Sequence, residues 1–303
     1  MTWLIFAISS SFLYAVVQVI NKFLLGQRAI TKPLVYAFWV GVFSIFTLVL
    51  APFGLSWPGW NAFFYDIIVG LIYFVSILFF YEAMDINEAS RVSSIVGGLI
   101  PVLVLILSYL FLSESLTPMQ LFAFFLLVMG GFLISVKKSG YGVKAEMNGL
   151  WFVALAIFFG AIYWIAAKYA FDNQGFITGF VWTRLGFVVA AAAILLKPAW
   201  RKMIFVSKNQ ASRQIGGLFI SNKLLAGFAS LLAHLALSLG SAALVYSLNG
   251  VQYVFLLIFA IILTKKFPSI MEEKITRRIL IKKFAVVLLI GAGLAILATN
   301  SFI

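Results

Sequence analysis

Long apolar runs, separated by short polar or basic interruptions, follow one another along the whole chain. Breaks at Pro, Gly or charge delimit ten runs, at residues 3–22, 33–51, 64–82, 90–111, 119–136, 149–168, 176–196, 216–237, 242–264 and 281–299. Most are close to the ~20 residues that a helix rising ~1.5 Å per residue needs to cross a ~30 Å hydrocarbon core. Unpaired backbone groups in lipid are costly, and no ten-residue alternation suggests a barrel, so the runs predict helices. The expected fold is all-α: a polytopic membrane protein with ten transmembrane helices. The first run begins at Trp3 with no basic leader and no clear small-residue cleavage site, and reads as a retained helix, not a signal peptide.

Internal similarity organises the ten runs into two sets. A shift of 146 residues pairs Leu4 with Leu150, Phe6 with Phe152, Phe12 with Phe158, Ala15 with Ala161 and Lys22 with Lys168. A shift of 153 pairs Ala83 with Ala236, Ala89 with Ala242, Val92 with Val245, Ser94 with Ser247, Gly97 with Gly250 and Leu110 with Leu263. The change of shift matches the longer basic connection at Arg201 to Arg213. Two five-helix repeats are expected, residues 1–140 and 141–303. Five is odd, so the second repeat enters the membrane from the opposite face. Inverted repeats of this kind are the usual architecture of alternating-access transporters.

Composition strengthens the membrane reading. The 303 residues are 64% hydrophobic and 10% charged, with a mean hydropathy of +1.11, against about half apolar and about a quarter charged in ordinary soluble domains. The polar connections are too short to form a soluble domain. There is no cysteine, hence no disulfide or thiolate chemistry.

The net charge of +13 invites a nucleic-acid reading, but no soluble module presents the basic residues. They collect on alternate connections. Lys22, Arg28 and Lys32 follow run one, Arg91 run three, and Lys137, Lys138 and Lys144 run five. Lys197, Arg201, Lys202, Lys208, Arg213 and Lys223 are counted after run seven; Lys265, Lys266, Lys274, Arg277, Arg278, Lys282 and Lys283 follow run nine. Only Lys168 and Arg184 remain. The positive-inside rule then puts these connections in the cytoplasm and both termini outside, in the inner (cell) membrane.

Arg184, inside the seventh run, is the leading site candidate: a fixed positive charge that attracts an anionic group, or a structural Arg paired with carbonyls. His234, the sole histidine, offers proton coupling or neutral packing; with no cysteine or second histidine, no metal site is expected. Tyr246, Asn249 and Gln252 in run nine, with Tyr14, Gln18 and Asn21 in run one, suggest a shared lumen, or interhelical bonds. Aromatic walls are expected from Trp39, Tyr73, Tyr81, Tyr163 and Trp164. The four-residue stripe Ala89, Ser93, Gly97 and Pro101 suits close helix approach. Glu82, Asp85, Glu88 and Glu114 are near helix ends, so no acidic residue is expected at mid-membrane, which disfavours a drug-proton antiporter built on a central carboxylate.

The segment Glu88 to Ser135, EASRVSSIVGGLIPVLVLILSYLFLSESLTPMQLFAFFLLVMGGFLIS, resembles the drug/metabolite transporter superfamily, specifically its ten-helix EamA-type members. The features are a small-residue helix with Pro101, a turn with Glu114 in LSESLTP, and a helix with Gly130 and Gly131. Lys22, Lys168 and Arg184 also sit where that family often has Lys and Arg; the first-half counterpart of Arg184 is Phe38. The second half carries KKFPSIMEEKITRR in place of LSESLTP, and relatives commonly keep their termini in the cytoplasm. The resemblance implies a secondary transporter, often an exporter of amino acids or other metabolites, with a central cavity and no cofactor.

The expected function is export of a small organic metabolite by alternating access, driven by a solute or proton gradient. The rivals are a non-transporting receptor or scaffold and a multidrug efflux protein. An intramembrane enzyme would need acid-base or nucleophilic groups in mutual reach, and the sequence offers one His and no buried carboxylate pair. A small solute and the lipid bilayer are the expected partners.

Overall fold

The computed structural model describes residues 2–26, 32–87, 89–135, 149–208, 213–266 and 277–300. Arg28, Glu88, Lys137, Lys138, Lys144 and Lys274 of the sequence argument lie outside them. Among the described residues every regular element is a helix. The first half contains α1 (Thr2–Gly26), α2 (Pro33–Phe43) with a 3-10 continuation (Ser44–Phe53), α3 (Trp60–Ile86), α4 (Ala89–Leu112) and α5 (Pro118–Ser135). The second contains α6 (Leu150–Gln174), α7 (Phe176–Leu195), α8 (Pro198–Lys208), α9 (Arg213–Leu239), α10 (Ala242–Ser247), α11 (Asn249–Lys266) and α12 (Arg277–Asn300).

Over the described residues, each of the ten apolar runs is largely helical. Eight helical stretches are long and apolar enough to cross a membrane, from Thr2–Asn21 to Ala242–Phe259; two shorter apolar stretches, Pro118–Leu133 and Phe284–Thr299, pack along each other as α5 and α12. The protein is thus a multi-pass membrane protein whose described residues form an all-helical bundle.

Three local departures from the sequence reading have visible causes. The second run tightens into a 3-10 helix containing Pro52, which has no N–H to give to a helical bond. It stops at Gly54, whose φ of 120° is closed to most side chains. The connection after α7 is not bare loop but α8, where Trp200 lies against the Lys197 ammonium and the basic residues fit a membrane surface. The ninth run is interrupted at Leu248, whose carbonyl accepts from Ser11 Oγ on α1 (3.2 Å) and from Val251 N–H (2.9 Å).

Glycines allow backbone contact where the halves meet. A Cβ on Gly70 of α3 would lie 2.1 Å from the Thr183 carbonyl oxygen and 2.7 Å from Gly186 Cα on α7. Gly131 of α5 meets Gly250 of α11 in the same manner, a Cβ there lying 2.8 Å from Gly250 Cα. At one end of the bundle, where the charge-poor connections gather, Ser56 pairs with Thr178 Oγ1 (3.0 Å) and its carbonyl accepts from Trp182 Nε1 (3.1 Å).

Candidate functional site

A cavity of about 310 Å³ lies inside the bundle, walled by α1, α3, α4, α5, α6, α9, α10 and α11. That volume is at the small end of the ~300–1,000 Å³ typical of ligand pockets. Its polar groups are Tyr14 and Gln18 from α1, Tyr73 and Ser76 from α3, Ser93 from α4, and Tyr246, Ser247, Asn249, Gln252 and Tyr253 around the α10–α11 interruption. Trp164 closes one side, with Tyr246 set edge-on to it at 4.8 Å. Ser247, Asn249 and Gly250, on either side of the interruption at Leu248, line the same hollow. Irregular backbone at membrane depth is tolerated where it is buried in protein or lines a cavity.

Six of the ten candidate residues therefore share one space: Tyr14, Gln18, Trp164, Tyr246, Asn249 and Gln252. Of the α4 stripe, Ser93, Gly97 and Pro101 line it too. Arg184, His234, Trp39 and Tyr81 do not. Trp39 instead packs edge-on against Phe38, and Tyr81 against Tyr36 at 4.2 Å. Asn21 accepts from Asn222 Nδ2 (2.7 Å) across α1 and α9.

Arg184 and His234 form a layer directly behind the wall. The Arg184 guanidinium donates to Ser230 Oγ and lies over the rings of Phe180 and Phe187, 5.0 and 4.8 Å from their centroids. No carboxylate pairs with it among the described residues, and its Nε, buried, has no hydrogen-bond acceptor. His234 is fully used: Nδ1 lies 2.7 Å from the Ser230 carbonyl, which fixes the proton there, and Nε2 then accepts from Tyr163 O–H at 2.6 Å. Its ring stacks on Trp164 (5.2 Å, 18°), and Tyr163 stacks on Tyr73 (4.0 Å). Both face the cavity, so the layer holds the wall aromatics in place, and His234 has the geometry of a packing residue.

The roles of three residues escaped sequence reading. Asp66, seven residues into α3, is fully buried and accepts from Gln174 Nε2 at 3.2 Å, near the charge-poor end; polar Gln174 at the end of α6 gave no signal of it. Lys223, counted with a cytoplasmic connection, stands inside α9 and is only 6% exposed. Glu114 links the halves: its carboxylate accepts from Ser241 O–H (2.8 Å) and Ala242 N–H (3.0 Å) at the start of α10. Burial raises the Glu114 carboxyl above its usual range, while Ser241, Lys168 and the Ala242 N–H pull it back. A hollow of about 450 Å³ beside it, between Trp3, Lys168 and Ser241, opens at that end of the bundle.

No curated protein matches this chain. A crystal structure described only as that of a protein superposes with a TM-score of 0.68 over 99% of this chain and 97% of the other, at 16% sequence identity, which shows a shared fold. The family model of EamA-like transporters matches residues 1–136, so the first half of the chain is similar to that family, which belongs to the drug/metabolite transporter superfamily.

Proposed function

We propose that the protein carries a small organic metabolite, such as an amino acid, across its membrane by alternating access, with the cavity at Asn249 and Gln252 as the solute site. The observation that carries this reading is a polar-lined hollow deep in an apolar bundle, built from both halves around an interrupted helix. Broken helices at membrane depth are where secondary transporters commonly place solutes.

Ten crossings in two inverted repeats are part of the proposal, and the packing supports it. The sequence shifts match α1 to α6, α3 to α9 and α4 to α10–α11. Under that correspondence the extensive α3–α6 contact has its counterpart in α9–α1, and α4–α6 in α11–α1, while α5–α12 and α2–α7 pair with themselves. Other pairs are unequal: α4–α5 outweighs α11–α12, α2–α3 outweighs α7–α9, and the widest gap is between α3–α7 and α2–α9. The α3–α7 seam is closed to backbone contact, whereas α2–α9, its counterpart at the charge-rich end, touches only lightly. That inequality fits one state of a rocking cycle, shut at the charge-poor end. The resemblance to exporters supports outward transport as the direction.

The test is uptake by proteoliposomes from a defined mixture of amino acids and organic acids, read by mass spectrometry against empty liposomes. Retention of at least one solute, lost in Asn249→Ala with Gln252→Ala, supports the reading. A chain that retains none overturns it in favour of a receptor or scaffold.

A further inference from the structure

One face of α9 carries a polar ladder. Lys223, Ser230 and His234 are seven and four residues apart, which at 100° per residue keeps all three within about 20° of one line. Ser230 and His234 form the cluster around Arg184. Lys223 is about 10 Å nearer the charge-rich end, at ~1.5 Å rise per residue.

Lys223 is as deeply buried as Arg184, 6% against 7% exposed. Its ammonium sits over the Tyr36 ring, 3.4 Å from the centroid, with Phe219 at 5.2 Å. These are cation–π contacts, and no carboxylate pairs with it among the described residues. The fully buried carboxyl, Asp66, is near the opposite end and bonded to Gln174. A buried cation held by two aromatic rings and a hydrogen bond to the Tyr36 hydroxyl, with no carboxylate beside it, is under-compensated, because desolvation of an ion costs more than such contacts return.

The environment favours a transient anion. Tyr36 packs on Tyr81 at 4.2 Å, and Tyr81 has Tyr73 and Tyr14, two residues of the cavity wall, around it. Phenol side chains thus run from the Lys223 site to the cavity wall. The seam that holds Lys223, α2 against α9, is also the loosely packed one. By the sequence shift of 153, Lys223 stands where the first half has Gly70, the residue at which α3 and α7 close to backbone contact. A lysine there keeps the corresponding seam from closing as tightly.

We propose that Lys223, with Tyr36 and Tyr81, is an anion-binding station at the charge-rich mouth. It receives the carboxylate or phosphate group of the solute on its way to or from the cavity whose field Arg184 sets. The transported class is then a small organic solute with such a group. This rests on the transport reading above.

The experiment compares wild type, Lys223→Gln, Lys223→Met and Lys223→Arg in proteoliposomes. The probes are matched pairs: amino and organic acids with their primary amides, and phosphate monoesters with their parent alcohols. Wild type is expected to take up acids, phosphates or both in preference to their neutral partners, and the preferred pair identifies the anionic group. Lys223→Gln and Lys223→Met should slow that uptake at least tenfold, the lower end of what a charge-assisted bond supplies. Lys223→Arg should keep most of it. Because no carboxylate pairs with the charge among the described residues, Lys223→Gln and Lys223→Met should melt at or above the wild-type temperature.

Equal uptake of acids and neutral partners, or wild-type rates in Lys223→Gln, overturns the station while leaving transport standing. Loss of folding in both neutral variants also overturns it, by making the charge structural. Absence of any uptake by wild type overturns transport itself and the station with it.

Discussion

The closed seam between the halves gives a stability prediction that can be worked from distances. Gly70→Ala places a methyl 2.1 Å from the Thr183 carbonyl oxygen and 2.7 Å from Gly186 Cα. Both are backbone atoms of α7, so no side chain can turn aside, and α3 and α7 must part by roughly an ångström to restore ordinary contact. Overpacking of this kind costs about 1–3 kcal/mol, and backbone on the far side argues for the upper figure. Alanine returns about 1 kcal/mol of helix propensity. The expected net loss is about 2 kcal/mol. The control is Gly227→Ala on α9, where nothing lies within 4 Å of the added methyl and only the propensity gain of about 1 kcal/mol should remain. Denaturation in mixed micelles, followed by tryptophan fluorescence, measures both. A Gly70→Ala protein as stable as wild type would refute the claim that the two helices touch backbone to backbone.

Other expectations follow from single contacts. Tyr163→Phe strands buried His234 Nε2 without its 2.6 Å donor and should cost about 1–3 kcal/mol in the same denaturation assay. Glu114 binds its proton more tightly in the folded protein than in the unfolded chain, so its contribution is present below the usual carboxylate range and is lost as pH rises through the raised value. The melting temperature of wild type minus that of Glu114→Gln should therefore fall between acid and neutral pH; a difference that rises with pH refutes this. Asn249→Ala and Gln252→Ala, which touch the cavity but not the seam, should each slow solute uptake by about tenfold with little change in melting temperature.

The helical scaffold was legible because lipid forces it: spans of about 20 apolar residues have few other solutions. Interruptions were less legible. The stretch from Ala242 to Thr264 has no proline or charge to mark a break, and at Leu248, where it is interrupted, the carbonyl accepts from Ser11, more than two hundred residues away. The cavity was legible where polar residues stood out against apolar neighbours, as with Gln18, Asn249 and Gln252. Arg184 and His234 stood out equally and yet lie one layer back, since sequence gives depth in the membrane but not rotation about the helix. Lys223 was misread for a related reason. Ten residues past Arg213, it looks like the tail of a basic connection, and only the packing of Tyr36 and Phe219 shows it inside the bundle.

The central claim is that the cavity opens to each side of the membrane in turn. The natural absence of cysteine makes a direct measurement available: Ser93→Cys puts one thiol on the cavity wall, to be labelled by an impermeant maleimide from either face in oriented vesicles. Alternating access predicts labelling from both faces, with a transported solute slowing one and speeding the other. Labelling from one face alone, unchanged by any transported solute, would contradict it.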